Sequence, residues 1–302
     1  IDVLSLGEHH RVDYAVSSTE IVLAALATVT KNIKLGSGVT VLSSADPVKV
    51  YQDYATLDLI SNQRAEITAG RGSFIESFPL FGYDLKDYHE LFEEKLELLV
   101  ELNKNEVINW EGKHRASIKD QVIYPQPERK LPIWVAVGGT PESVLRAARL
   151  GLPIIFAIIG GQPKQFKPLI DFYKQQYLAF GHDVEKMEVA VHSHSFLADS
   201  QEQLLENYFP FYAAQMDRIG KDRGWSPYTK MQFQGGMSPE GALYMGDASQ
   251  VAEKIIKTIE MFGLTRFVAH IDVGAPSHKE MMKAIELYGT KVVPEVKRAF
   301  QK

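Results

Sequence analysis

The stretch Pro132-Ile-Trp-Val-Ala-Val-Gly-Gly-Thr-Pro-Glu-Ser-Val-Leu-Arg-Ala-Ala-Arg-Leu-Gly-Leu-Pro-Ile-Ile-Phe-Ala-Ile-Ile159 decides the fold. Its opening run, Pro132–Gly138, is rich in β-branched and aromatic residues. Thr140 is placed to cap a helix that begins with Pro141, and Gly151 stops that helix after Leu150. A second run, Pro153–Ile159, is apolar at consecutive positions, as in a strand covered on both faces. Strand, short capped helix and doubly covered strand make one crossover unit of a parallel sheet.

The same rhythm extends in both directions. Strands are predicted at Val3–Gly7, Ile33–Leu42, Ala65–Gly70, Met187–Ala198 and Arg266–Val273. Helices are predicted at Ser18–Thr30, Pro47–Ser61, Asp87–Asn103, Lys164–Phe180, Gln201–Arg223, Ser249–Phe262 and His278–Ala299. Insertions at Trp110–Arg129 and Gly224–Gly246 read as loops or short hairpins. Seven strand–helix pairs with no linker between them point to one α/β domain over residues 1–302, a (β/α)8 TIM barrel. A barrel takes eight pairs, and the chain opens at Ile1 directly in a strand, so the expectation is a barrel whose first βα unit lies upstream.

Composition narrows the function. The 302 residues are 45% hydrophobic and 24% charged, and 33 Lys+Arg against 38 Asp+Glu leave a net charge of −5. That balance argues against binding nucleic acid through bulk charge. No apolar run approaches the ~18 residues of a membrane helix. Cysteine is absent, which removes disulfides, thiolate metal sites and cysteine nucleophiles and fits a cytoplasmic location.

In a barrel the chemistry sits at the C-terminal strand ends. The first predicted strand ends in Gly7-Glu8-His9-His10; one histidine serves chemistry, or the pair is structural. Gly36 and Gly38 interrupt the second strand, marking a bulge, close approach of a ligand or tight packing. Arg71 between Gly70 and Gly72 offers a charged fork for an anion, although many turns contain Arg-Gly. Gly138, Gly139, Thr140 and Ser143 open a helix, where amides and hydroxyls suit a phosphate or make an ordinary capped turn. His192 and His194 share a strand face, a spacing that suits a metal in some barrel hydrolases and equally a cavity lining.

Taken in order, Gly7-Glu8-His9-His10, Gly38-Val39-Thr40-Val41-Leu42 with Asp46-Pro47, Gly70-Arg71-Gly72, Val137-Gly138-Gly139-Thr140, Ala147–Pro153 and Gly246–Ile255 resemble the bacterial-luciferase-like flavin monooxygenases. The resemblance implies a (β/α)8 barrel with FMN at the C-terminal strand ends. It implies that His9, beside Glu8, acts in acid–base steps next to the flavin, and that Gly38-Val39 is the bulge, a non-prolyl cis peptide in many members, beneath the ring. It further implies that Arg71 and the Gly138–Ser143 turn hold the FMN phosphate between a guanidinium and a helix start. Gly70 stands where light-emitting members carry a cysteine, so light emission is not implied.

The functional expectation is a monooxygenase taking reduced FMN from a partner reductase and using O2 on a small organic substrate, in a homodimer. A deazaflavin-dependent reductase, a non-catalytic flavin-binding protein and a metal hydrolase using His192 and His194 are the alternatives. The insertion Ser73–Asp87, with Phe74, Phe78, Phe81 and Tyr83, is read as an aromatic lid or as cover for an outer helix.

Overall fold

A computed structural model describes residues 1–72, 74–221 and 223–301. Ser73, the first residue of the aromatic insertion, therefore lies outside the described residues. The chain divides into two compact units, Ile1–Ala136 and Val137–Lys302.

The first unit runs β1 (Val3–Leu6), α1 (Thr19–Val29), β2 (Lys34–Ser37), β3 (Thr40–Val41), α2 (Pro47–Ser61), β4 (Ala65–Gly70), α3 (Ser77–Phe81) and α4 (Tyr88–Lys104). A hairpin, β5 (Val107–Trp110) and β6 (Ile118–Val122), precedes β7 (Ile133–Val137), whose last residue opens the second unit. All sheet neighbours outside the hairpin are parallel: β1 on β2 (Val3 opposite Lys34), β2 on β4 (Leu35 opposite Ala65) and β4 on β7 (Ile67 opposite Ile133). β3 continues the line of β2 and pairs with β4 further along, Thr40 opposite Ala69.

Local chemistry explains the boundaries. The Asp46 carboxylate accepts from the Val48 and Lys49 amides at 2.9 and 3.3 Å, with Pro47 at the first helical position of α2. Every residue of β4 is buried, as a strand covered on both faces must be. Gly36 is required beside it, because a β-carbon there would lie 2.9 Å from Glu66 Cγ. The expected apolar face of α4 is present, with Leu91, Leu98, Leu99 and Leu102 buried. Lys95 shares that face, its Nζ donating to the Ser43 carbonyl at 2.7 Å beneath the Tyr83 ring. Burial holds this ammonium down to about 8. Arg64 is a second buried cation, whose Nη2 donates to the carbonyls of Ala27 and Thr30 at 3.0 Å, satisfying the end of α1.

The second unit runs α5 (Pro141–Leu150), β8 (Ile154–Ala157), α6 (Lys167–Ala179) and β9 (Val189–Leu197). α7 (Gln201–Gln203) passes through a π-turn at Leu204–Tyr208 into α8 (Phe209–Lys221). Then come α9 (Lys230–Met237), β10 (Tyr244–Gly246), α10 (Ala248–Phe262), β11 (Arg266–His270) and α11 (His278–Leu287). A further π-turn, Tyr288–Val292, leads into α12 (Val293–Phe300). β8 and β11 both lie parallel to β9, and the last three residues of β9 pair with β10, Tyr244 opposite Ser195. The core is aromatic: Phe196 stacks on Tyr208 with centroids 4.3 Å apart, and Tyr212, Phe233 and Tyr244 are fully buried around them.

The strand and helix positions match the expected rhythm, and the hairpin expected in Trp110–Arg129 begins earlier, with β5 at Val107–Trp110 and only β6 inside the segment. Gly224–Gly246 does not fit its reading as a loop or hairpin, for it holds α9 and the parallel strand β10. Thr229 and Gln232 cap α9 reciprocally, and the chain turns back where Gly236 lies against Leu243. Three strand residues are too few to show a period. The second expected strand, Ile33–Leu42, is split into β2 and β3 at Gly38–Val39. Among the described residues no helix is long and apolar enough to cross a membrane.

Candidate functional site

In the first unit the ends of β1, β2 and β4 meet around the predicted bulge. The Gly38–Val39 peptide is cis, as in the family pattern. The Gly38 amide donates to the Leu6 carbonyl at 2.7 Å, and a β-carbon on Gly38 would come within 3.1 Å of Ser5 Cβ. The Val39 side chain occupies the space above Gly70, where an added β-carbon would lie 2.7 Å from Val39 Cγ2.

Glu8 ties this arrangement together. One carboxylate oxygen accepts from the Val41 amide at 2.8 Å, and the other meets His10 Nε2 at 2.8 Å. β1 ends at Leu6, so His9 and His10 leave the strand before its alternation applies and point to separate neighbours. The His10 ring meets Phe81 edge-on at 5.1 Å. The His9 amide donates to the Val16 carbonyl at 3.0 Å. Its ring lies on Tyr14, centroids 3.9 Å apart, with Phe74 at 5.3 Å and the Arg11 guanidinium 4.5 Å over Phe74. The aromatic insertion thus reaches the two histidines through Phe74 and Phe81, while Phe78 is buried against Tyr88 and Tyr83 covers Lys95.

Arg71 is half-buried at the end of β4. Its Nη1 donates to His89 Nδ1 at 2.9 Å and its guanidinium faces the Tyr88 ring at 5.1 Å. The Tyr88 hydroxyl in turn donates to the Gly72 carbonyl at 3.1 Å. Tyr14, Tyr88 and His89 did not stand out in the sequence. Each touches its partner only because the loops after β1 and β4 fold back.

In the second unit, Gly138, Gly139, Thr140 and Ser143 form the turn into α5. Gly139 has φ +111°, a conformation glycine adopts without strain, and a β-carbon on Gly138 would meet open space. Thr140 is the N-cap by backbone position, yet its side chain makes no capping bond and instead pairs with the Ser143 hydroxyl at 2.8 Å. That corrects the expected Thr140 side-chain cap. Thr140 thus makes no side-chain cap to the α5 amides among the described residues, whereas Asp247 and Ser277 cap the starts of α10 and α11. Two hydroxyls beside uncapped amides are the donor set a phosphate takes.

His192 and His194, set apart as possible metal ligands, lie on β9 with His270 of β11 between them, centroids 5.0 and 5.2 Å away. Burial, and then the neighbouring His270, push His192 down to about 3 and His194 well below its usual range. Among the described residues, the group that places three ligand atoms within 4.8 Å of one another is Asp87, Glu90 and His114. There Glu90 already pairs with Lys113 at 2.5 Å. The two strand histidines are not brought into a ligand group of that kind.

Comparison with known proteins places this geometry. Residues 1–269 match the family model described as luciferase-like monooxygenase. The alkanal monooxygenase alpha chain of the Kryptophanaron alfredi symbiont is 29% identical over 193 residues, 62% of this chain and 52% of that protein. The oxygenase component of a flavin-dependent trigonelline monooxygenase from Acinetobacter baylyi is 26% identical over 65% of this chain and 55% of its own length. An F420-dependent glucose-6-phosphate dehydrogenase of Amycolatopsis mediterranei is 29% identical over 43% of this chain and 39% of its own. These matches thus span about half the length of the curated relatives.

Among solved structures, a monooxygenase from Streptomyces bottropensis superposes with TM-score 0.82 at 21% identity, covering 97% of this chain and 88% of its own. The oxygenating constituent of the 3,6-diketocamphane monooxygenase of Pseudomonas putida, in complex with FMN, gives 0.73 at 20% identity, covering 98% and 89%. The fold is therefore that of these enzymes, an α/β fold of mostly parallel strands. With a family model matched over residues 1–269 and the family's Glu-His-His, cis Gly-Val and Gly-Gly-Thr segments in order, the chain belongs to the luciferase-like monooxygenase family.

Proposed function

We propose that this enzyme is the oxygenase component of a two-component system, using reduced FMN and O2 to oxidise a small organic substrate. The observation that supports this most is the first unit's strand-end cluster, where Glu8, His9 and the Gly38–Val39 peptide of the family pattern are bound into one framework. Bound reduced FMN supplies the activation of O2. His9 holds or moves a proton beside the ring, and the stack with Tyr14 fixes its plane. Gly38 and Val39 would form the surface that receives the ring, and Glu8 keeps that surface in place through the Val41 amide. Phe74 and Phe81 bring apolar surface against the two histidines.

For the phosphate there are two separate candidates, each taken within its own unit. Arg71 contributes a guanidinium already oriented by Tyr88 and His89. Within the second unit the candidate is the Gly138, Gly139, Thr140 and Ser143 turn, whose two hydroxyls pair at 2.8 Å beside the start of α5. The same reading takes the fold as the (β/α)8 barrel type and the enzyme as a cytoplasmic homodimer served by a separate flavin reductase. Sedimentation and the dependence of turnover on added reductase test those two points.

Replacing Arg71 with alanine should weaken FMN binding at least tenfold in a fluorescence titration, the loss of one charge-assisted contact. Unchanged affinity would remove the assignment. A deazaflavin reductase, the activity suggested by the F420-dependent relative, would bind F420 in preference to FMN and consume no O2.

A further inference from the structure

Along β9 every residue is buried except one, and that one is His192. The register places Val268 opposite His192 and His270 opposite His194, so the His270 ring reaches both histidines. It stacks on His192 at 27° and meets His194 edge-on at 81°. Two ring nitrogens are engaged from outside the cluster: His194 Nδ1 with the Tyr212 hydroxyl at 2.8 Å, and His270 Nε2 with Asp272 Oδ1 at 2.7 Å. The rest are not. His270 Nδ1 is buried without a hydrogen-bond partner among the described residues, and the His192 ring makes no hydrogen bond to any of them. β11 is half-buried at all five positions, with the apolar residues Val268 and Ala269 preceding His270 and Ile271 following it.

The proton inventory selects a ligand. Asp272, as a carboxylate, only accepts, so His270 donates its Nε2 hydrogen to it, and in the tautomer that carries a single hydrogen there Nδ1 is an acceptor. A buried acceptor requires a donor. Neutral His192 has one N–H to give. We propose that this three-imidazole cluster binds a hydroxyl group carried on an otherwise apolar organic molecule, the O–H donating to His270 Nδ1 and its oxygen accepting from the His192 N–H. A ketone or ether lacks the donor. A carboxylate lacks it too. Naming that molecule a substrate rests on the oxidoreductase reading; the binding itself does not.

Flavin-free full-length protein is titrated with 1-naphthol, 1-methoxynaphthalene and 1-naphthoate by calorimetry. 1-Naphthol should bind about tenfold more tightly than the ether, the ordinary effect of leaving one buried polar group unpaired. In histidine-15N spectra it should shift His192 and His270 and leave His182 unmoved. His192→Phe, which keeps a ring and removes the N–H, should cut the preference to threefold or less while FMN affinity stays as in the wild type. Equal binding of naphthol and ether, tighter binding of the naphthoate, or no binding of 1-naphthol at all would overturn the inference. So would a preference that survives His192→Phe. Should that variant misfold, the 15N shifts of the wild type decide alone. A failure of Arg71→Ala to affect FMN would count against the flavin site and leave this result standing.

Discussion

Replacing Gly70 with alanine puts a methyl group into space that Val39 already fills. The new β-carbon would lie 2.7 Å from Val39 Cγ2 and 3.0 Å from both Val39 Cβ and Cγ1, inside the closest approach of real carbon atoms. Gly70 is not among the glycines with positive φ, so the substitution acts through packing and not through backbone strain. Overpacking of this kind costs about 1–3 kcal/mol, offset by about 0.5–1 kcal/mol from the stiffer backbone of alanine. A net loss of about 1–2 kcal/mol follows. In a Val39→Ala background two of the three close atoms are gone, and the cost of Gly70→Ala should fall by about half or more. The four proteins of the cycle are compared by urea denaturation, reading the midpoint at constant slope. A coupling energy of about 1 kcal/mol is expected between the two positions. Additivity to within about 0.3 kcal/mol, or a Gly70→Ala protein as stable as the wild type, would refute the packing argument.

Glu8→Ala leaves the Val41 amide without its acceptor and should cost about 2 kcal/mol in the same denaturation assay. Glu8→Gln keeps an acceptor oxygen and should recover most of that loss. Acid should destabilise the fold early. Between the unfolded histidine value near 6.5 and the folded value of about 3 for His192, the unfolded chain binds the proton and the native chain does not. Stability is therefore lost as pH falls through that window, by at most about 1.4 kcal/mol per pH unit for each buried histidine. Midpoints measured from pH 7 to pH 4 should fall, and less steeply in His192→Phe. Lys95 and Lys254, both held down to about 8 by burial, act in the alkaline range. Between about 8 and 10.5 the unfolded chain holds the proton and the native chain has released it, so stability should rise with pH there. Lys95→Met should flatten the rise between pH 8 and 9.5; an unchanged slope would show that Lys95 does not titrate in that range.

The order of strands and helices was readable because its signals are local. Asp46-Pro47 starts α2, Gly151 ends α5 and Asp247 opens α10, each within a few residues of the boundary it marks. The family pattern likewise led to Gly38–Val39, Arg71 and the Gly-Gly-Thr turn. Local reading failed at α9 and β10, where glycines and a three-residue strand hid the elements, and at Thr140, whose hydroxyl turns to Ser143.

By itself, then, the amino-acid sequence determined the alternation of elements, most helix boundaries and the family. Those follow from backbone sterics and short-range hydrogen bonds, which act over a few residues. Only the tertiary structure decided what each polar side chain touches: Glu8 on the Val41 amide, Lys95 beneath Tyr83, Arg71 on His89, and three histidines meeting across β9 and β11. Such partners lie far apart along the chain. They meet through strand register and loop return, which are settled by burying the whole core at once and leave no mark on any short segment.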